Sequence, residues 1–126
     1  MHDPELLKEA LGILDRLDGM SRASTPLTQR RSSPRDLFRH TLTLRRHEGG
    51  KWIETLALSR DLSPGGLACL HQGPLDLGMI MTVQLPVPDG SCDVVEAQVR
   101  RQQRVEEGWF LLGLAFAQPI NIQRYF

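Results

Sequence analysis

The chain has 126 residues, 40% of them hydrophobic, and its 15 basic and 15 acidic residues leave no net charge. That is enough for one domain with a real core and little left for a second. The N-terminus is acidic and no apolar run approaches the ~20 residues of a spanning helix, so neither a signal peptide nor a membrane span is expected, and the protein reads as soluble and cytoplasmic.

Residues 3 to 18, "DPELLKEALGILDRLD", carry Leu6, Leu7, Ala10, Leu11, Ile13, Leu14 and Leu17 at helical spacing. Asp3 suits the N-cap, Pro4 the first helical position and Gly19 the C-terminal stop. A lone helix of this length is marginal in water, so its stripe must pack on the body of the domain, the favoured reading, or on another chain as a homodimer contact. Residues 19 to 34, "GMSRASTPLTQRRSSP", have no periodicity and read as a mobile linker. Charge is uneven here: Arg22, Arg30, Arg31, Arg35, Arg39, Arg45 and Arg46 meet only Asp36 across residues 22 to 46. Such asymmetry points to an anionic partner. Thirteen arginines against two lysines add that the cation wanted is one that forks and stacks.

From Asp36 onward, short runs alternate with period two between turn signals. "HTLTLRR" and "KWIETLALS" flank "EGG", a hairpin signal. "GLACL" and "MIMTVQLPV" follow, the latter ending before "PDG". "DVVEAQVRRQ" sets Val95, Ala97 and Val99 against Glu96, Gln98 and Arg100, and "WFLLGLAF" alternates Phe110, Leu112, Leu114 and Phe116 with Trp109, Leu111, Gly113 and Ala115. Roughly six strands without intervening helices indicate a small antiparallel barrel or sandwich.

Little in the chain suggests catalysis. Ser63 near Asp61 is not a G-x-S-x-G elbow, there is no phosphate loop, and no catalytic residue is assigned. His2, His40, His47 and His71 lack ligand spacing and read as surface residues, Cys69 and Cys92 form no C-x-x-C pair and read as free thiols, and no metal or cofactor is expected. An RNA or single-stranded DNA binder would want stacking aromatics on its strands. The seven aromatics, several of them core-like, make nucleic acid an unexpected partner.

Two motifs remain. "RSSPR" spaces Arg31 and Arg35 as R-x-x-x-R, and 26 residues after Arg35 "DLSPGG" fits D-x-S-x-x-G through Asp61, Ser63 and Gly66. On its own, "DLSPGG" is explained by turn chemistry, with Asp and Ser bonding locally, Pro64 presetting φ and a glycine free to take positive φ. In this order and spacing, ahead of the strand pattern and with "PLDLGMIMTVQLP" and the closing "GLAF" behind, the pair resembles the PilZ domain family of bacterial receptors for cyclic di-GMP (c-di-GMP). The likeness runs from about Arg30 to Gln118. It implies a six-stranded antiparallel split β-barrel with an N-terminal α-helix, divided as helix 1–18, linker 19–34, barrel 35–118 and tail 119–126. It implies no enzyme activity but a receptor or adaptor that changes shape on binding c-di-GMP and regulates a protein partner of unknown identity, with a motility, biofilm or polysaccharide type of output. The runner-up is a member that keeps the fold and binds no nucleotide.

The resemblance assigns c-di-GMP binding to Arg30, Arg31, Arg35, Asp61, Ser63 and Gly66. Arg31 and Arg35 grip guanine and phosphate, Asp61 accepts from guanine N1 and N2, Ser63 bonds phosphate or base, and Gly66 allows the turn and close approach. Arg30 resembles the kind of relative that binds a stacked pair of ligands, which implies two per chain. Relatives often carry a helix after the barrel. Here only ten residues follow Phe116, leaving the N-terminal helix to occupy that surface. The linker is expected to order on binding and to move the helix with it.

Overall fold

The computed structural model describes residues 8–17 and 36–126. Arg30, Arg31, Arg35, the linker 19–34, and the helix-end residues Asp3, Pro4 and Gly19 lie outside the described residues. Residues 8–17 form a helix, α1. The strands are β1 (Asp36–Leu37), β2 (Thr41–Glu48), β3 (Lys51–Ser63), β4 (Gly66–Gln72), β5 (Ile80–Pro86), β6 (Cys92–Glu106) and β7 (Trp109–Phe116). All pairings are antiparallel in the order β3-β2-β5-β6-β7-β4, and β4 pairs back onto β3, so six strands close a barrel. The short β1 lies beside the last part of β3, where β2 is no longer paired.

Alternation fills the barrel. Leu42, Leu44, Met81, Val83, Leu85, Ala97, Val99, Leu112 and Leu114 are all within 3% of full burial and meet in one core. Each large side chain there contributes about 1.5–3 kcal/mol. Gly49 and Gly50, at φ of 60° and 79°, make the two-residue turn whose twist matches the β2–β3 hairpin. The two longest strands run further than their alternation indicates. β3 continues through Asp61, Leu62 and Ser63, so most of "DLSPGG" is strand and only Pro64 and Gly65 make the turn. β6 continues past Gln102 to Glu106.

α1 packs on the outside of this barrel. Ala10, Ile13 and Leu14 are buried against Leu58 of β3, Leu70 of β4 and Trp109 of β7, with Leu17, Val105 and Leu111 at the margin. Leu11, expected in the stripe, is 42% exposed, because the i, i+3, i+4 set that touches the sheet is narrower than the apolar content of the helix. Arg16 pairs with Glu106 at 2.6 Å and Asp15 with Arg39 at 2.7 Å. Being exposed, these ion pairs add little beside the apolar contact.

After β7 the chain closes one end of the barrel. A 3-10 turn, Ile122–Tyr125, is capped by the Asn121 side chain accepting from Gln123 N at 3.2 Å. Arg124 donates to both oxygens of Asp93, at 2.6 and 3.1 Å, and the Tyr125 hydroxyl donates to Asp93 at 2.8 Å. These bonds hold the Asp93 carboxyl down to about 2. Tyr125 is buried in the core, and the Phe126 ring meets Phe38 edge-on at 5.5 Å.

His71 differs from its expected surface place. It is 4% exposed on the inner side of β4, between the Gly73 carbonyl and the Thr55 hydroxyl, each at 2.9 Å. The carbonyl only accepts, so Nδ1–H donates; in the neutral imidazole, the form that burial favours, Nε2 accepts from the Thr55 hydroxyl. Burial lowers its pKa from 6.5, against the bond to Gly73 and with help from the Arg46 charge. The unfolded chain therefore takes up the proton first as pH falls below 6.5, and stability declines from there toward the lower folded value. Urea midpoints followed from neutral pH downward should fall through this window. The fall should be smaller in His71→Gln.

Candidate functional site

Asp61, Ser63 and Gly66 share the outer face of the barrel beside α1. Leu62, Leu67 and Leu114 point into the core, so their strand neighbours point out. Pairing then builds two rows across four strands. One is Asp61 (β3), Ala68 (β4), Gly113 (β7) and Arg101 (β6), and the other is Ser63, Gly66, Ala115 and Gln98. The next row toward α1 is Leu58, Leu70 and Leu111, which the helix covers. The result is a shallow trough with a floor of glycine and alanine, apolar packing closing one side, and polar groups at both ends.

Asp61 faces outward because of a β-bulge. Ala57 and Ser59 face inward, and strict alternation would carry Asp61 in with them. An extra residue, Arg60, sits between Ser59 and Asp61 in the ladder with β4 and turns the carboxylate out. Its position is evident on the inside as well: the Cys69 thiol, fully buried opposite Ser59, is pushed up to about 12 by burial and then by the Asp61 charge.

Ser59, which sequence reasoning passed over, secures the approach to this site. It is fully buried and its hydroxyl donates to Phe38 O at 2.5 Å while accepting from His40 N at 2.8 Å. Phe38 N bonds the carbonyl of the bulged Arg60 at 3.1 Å. These bonds bridge the break between β1 and β2 and place β1 with Asp36 opposite Leu62 and Leu37 opposite Asp61. The second described segment, from Asp36, thus begins beside the D-x-S-x-x-G turn, one residue after Arg35 in the sequence.

The turn itself is held on every side. Ser63 is buried and its hydroxyl donates to Gly66 O at 3.2 Å, closing the hairpin and leaving lone pairs to accept. Phe116 N bonds Gly65 O and Ile120 N bonds Pro64 O, both at 2.9 Å. Neither Gly65 nor Gly66 takes a positive φ. Gly66 is required by close approach instead: a Cβ there would lie 2.1 Å from the Leu114 carbonyl oxygen.

A shallow cleft of about 330 Å³ lies elsewhere, lined by His40, Pro86, Val87, Pro88, Tyr125 and Phe126. Its lining has no acidic side chain, lysine or arginine and is mostly apolar, which does not suit a charged, base-bearing ligand. Among the described residues no group of three His, Cys, Asp or Glu side chains is placed to hold a metal ion, and no helix is long and apolar enough to cross a membrane.

A PilZ domain family model matches residues 29–125. The chain belongs to the PilZ domain family. The match takes in both motifs and the barrel. No curated protein matches the chain. Among solved structures, the inhibitor of motility of Bacillus subtilis (MotI/DgrA) is 20% identical with a TM-score of 0.55, over 76% of this chain and 46% of that one. The PilZ domain of YcgR from Escherichia coli, solved with c-di-GMP, is 19% identical with a TM-score of 0.52, over 75% and 80%. MrkH of K. pneumonia, solved in complex with c-di-GMP, is 22% identical with a TM-score of 0.51, over 71% and 45%. The match to this PilZ chain thus spans less than half the length of the first and third. At these identities the likeness establishes the shared barrel.

Proposed function

We propose that this PilZ chain is a receptor for c-di-GMP that acts without catalysis, passing ligand occupancy to a protein partner. The observation that carries the reading is the placement of Asp61, Ser63 and Gly66 on one outer face, with β1 laid beside them directly after Arg35. The ligand is a dianionic cyclic dinucleotide with two guanines. Arg31 and Arg35 supply cations that fork onto phosphate or stack on a base. Asp61 accepts from guanine N1 and N2, donors that adenine lacks at those positions. The bulge at Arg60 presents this carboxylate outward, and Ser63 and Gly66 fix the turn beside it. Two of the structural neighbours were solved with c-di-GMP, which supports the same choice of ligand. With Arg30 before the paired motif, the stoichiometry is two ligands per chain.

Calorimetric titration tests this. c-di-GMP should bind with a stoichiometry near two, and cyclic di-AMP and GTP far more weakly. Equal affinity for cyclic di-GMP and cyclic di-AMP would remove the guanine-edge argument. No binding of c-di-GMP at all would favour the adaptor that binds no nucleotide.

A further inference from the structure

The trough has a far wall that neither motif supplies. Arg101 ends the row that Asp61 begins, two small residues away, and reaches the outer face by the same device. Ala97 and Val99 point into the barrel, so strict alternation would send Arg101 inward, but an extra residue, Arg100, interrupts the β6–β7 ladder between Val99 and Arg101. A bulge disrupts local pairing and re-aims a side chain. Here one bulge in β3 and another in β6 turn out two opposite charges on a single row of the same face.

The stem of Arg101 lies over Gly113, where a Cβ would meet its Cβ at 3.2 Å, Cγ at 3.6 Å and Cδ at 3.7 Å. Its side chain is exposed. Among the described residues it makes no ion pair, in contrast to Arg16, Arg39, Arg45, Arg46 and Arg124. Three strand spacings put the Cα atoms of Asp61 and Arg101 roughly 14 Å apart along the sheet. Between them only Ala68 and Gly113 rise from the floor, which leaves space for a purine lying flat once both side chains reach inward.

Resting on the receptor reading above, we infer that Arg101 is a ligand-binding and specificity-determining residue. Its guanidinium forks onto the O6 and N7 edge of a guanine seated on Ala68 and Gly113, opposite the Asp61 carboxylate. Adenine carries an amino donor in place of O6, so the same fork loses one acceptor and meets a donor instead.

The test is titration of c-di-GMP and cyclic di-AMP into the intact chain and into Arg101→Ala, Arg101→Lys and the charge-matched Arg104→Ala. Arg104 is also exposed, but it pairs with Phe110, off the trough rows. Arg101→Ala should weaken c-di-GMP about tenfold or more while changing cyclic di-AMP little, so that discrimination between them shrinks. Arg101→Lys should not restore binding, because an ammonium cannot fork. Arg104→Ala should bind as the parent does, and all three should unfold at the parent temperature. If the parent binds c-di-GMP and Arg101→Ala binds it equally well, or Arg101→Lys restores it fully, the inference is overturned and the receptor reading stands. If the parent itself binds no c-di-GMP, the receptor reading has failed.

Discussion

Gly66→Ala is expected to lower the unfolding temperature by roughly 10 °C, whereas Gly65→Ala, one residue earlier, should leave it nearly unchanged. The added methyl at Gly66 would sit 2.1 Å from the Leu114 carbonyl oxygen. That neighbour is backbone, so relief requires parting β4 from β7 at the Gly66–Ala115 pair and disturbing a hairpin that Phe116 and Ile120 also hold. Overpacking costs about 1–3 kcal/mol and occasionally more, and a clash with main chain belongs at the upper end. At Gly65 nothing lies within 4 Å of an added Cβ, and its φ is not positive. Differential scanning fluorimetry on the two variants checks the contrast. Equal melting of both would mean that the hairpin yields easily and that Gly66 is not held by packing.

Asp61→Ala and Arg35→Ala should do the opposite, sparing the fold and losing the ligand. Removing the carboxylate takes away a bidentate base contact, so c-di-GMP affinity should fall by about 1–3 kcal/mol, and loss of Arg35 should cost at least as much. Asp61 is on the outer face of the barrel, outside the hydrophobic core, and its removal opens no core cavity. Titration paired with thermal unfolding reads both effects. A variant that melts early would show its residue to be structural.

These expectations rest on features of unequal visibility in the sequence. Leu42 with Leu44, Met81 with Val83 and Leu85, and Ala97 with Val99 face inward as their alternation indicates, because a strand buried on one face imprints period two on its residues. The "DLSPGG" stretch is legible as a chain reversal because Pro, Gly, Asp and Ser are restrictive residues. The bulges at Arg60 and Arg100 are not, since one extra residue in a ladder changes pairing without changing composition. Asp61 therefore reads as part of a turn when it belongs to a strand, and Arg101 is indistinct within a polar run. Ser59 carries no signal of its own and His71 reads as a surface residue, because a buried polar residue is defined by partners far along the chain: Phe38 and His40 for one, Thr55 for the other. The seat of α1 was half legible. Its stripe required a partner, but Leu58, Leu70 and Trp109 come from three strands and converge only in the folded barrel.

The claim that binds these observations together is that the outer trough beside α1, and no other surface, receives the cyclic dinucleotide. Amide chemical shifts of the labelled intact chain, recorded as c-di-GMP is added, test that claim most directly. The largest changes should fall on Asp61, Gly66, Ala68, Arg101 and Gly113. Changes confined to His40, Val87, Tyr125 and Phe126, around the apolar cleft, with the trough amides unmoved at saturation, would contradict it.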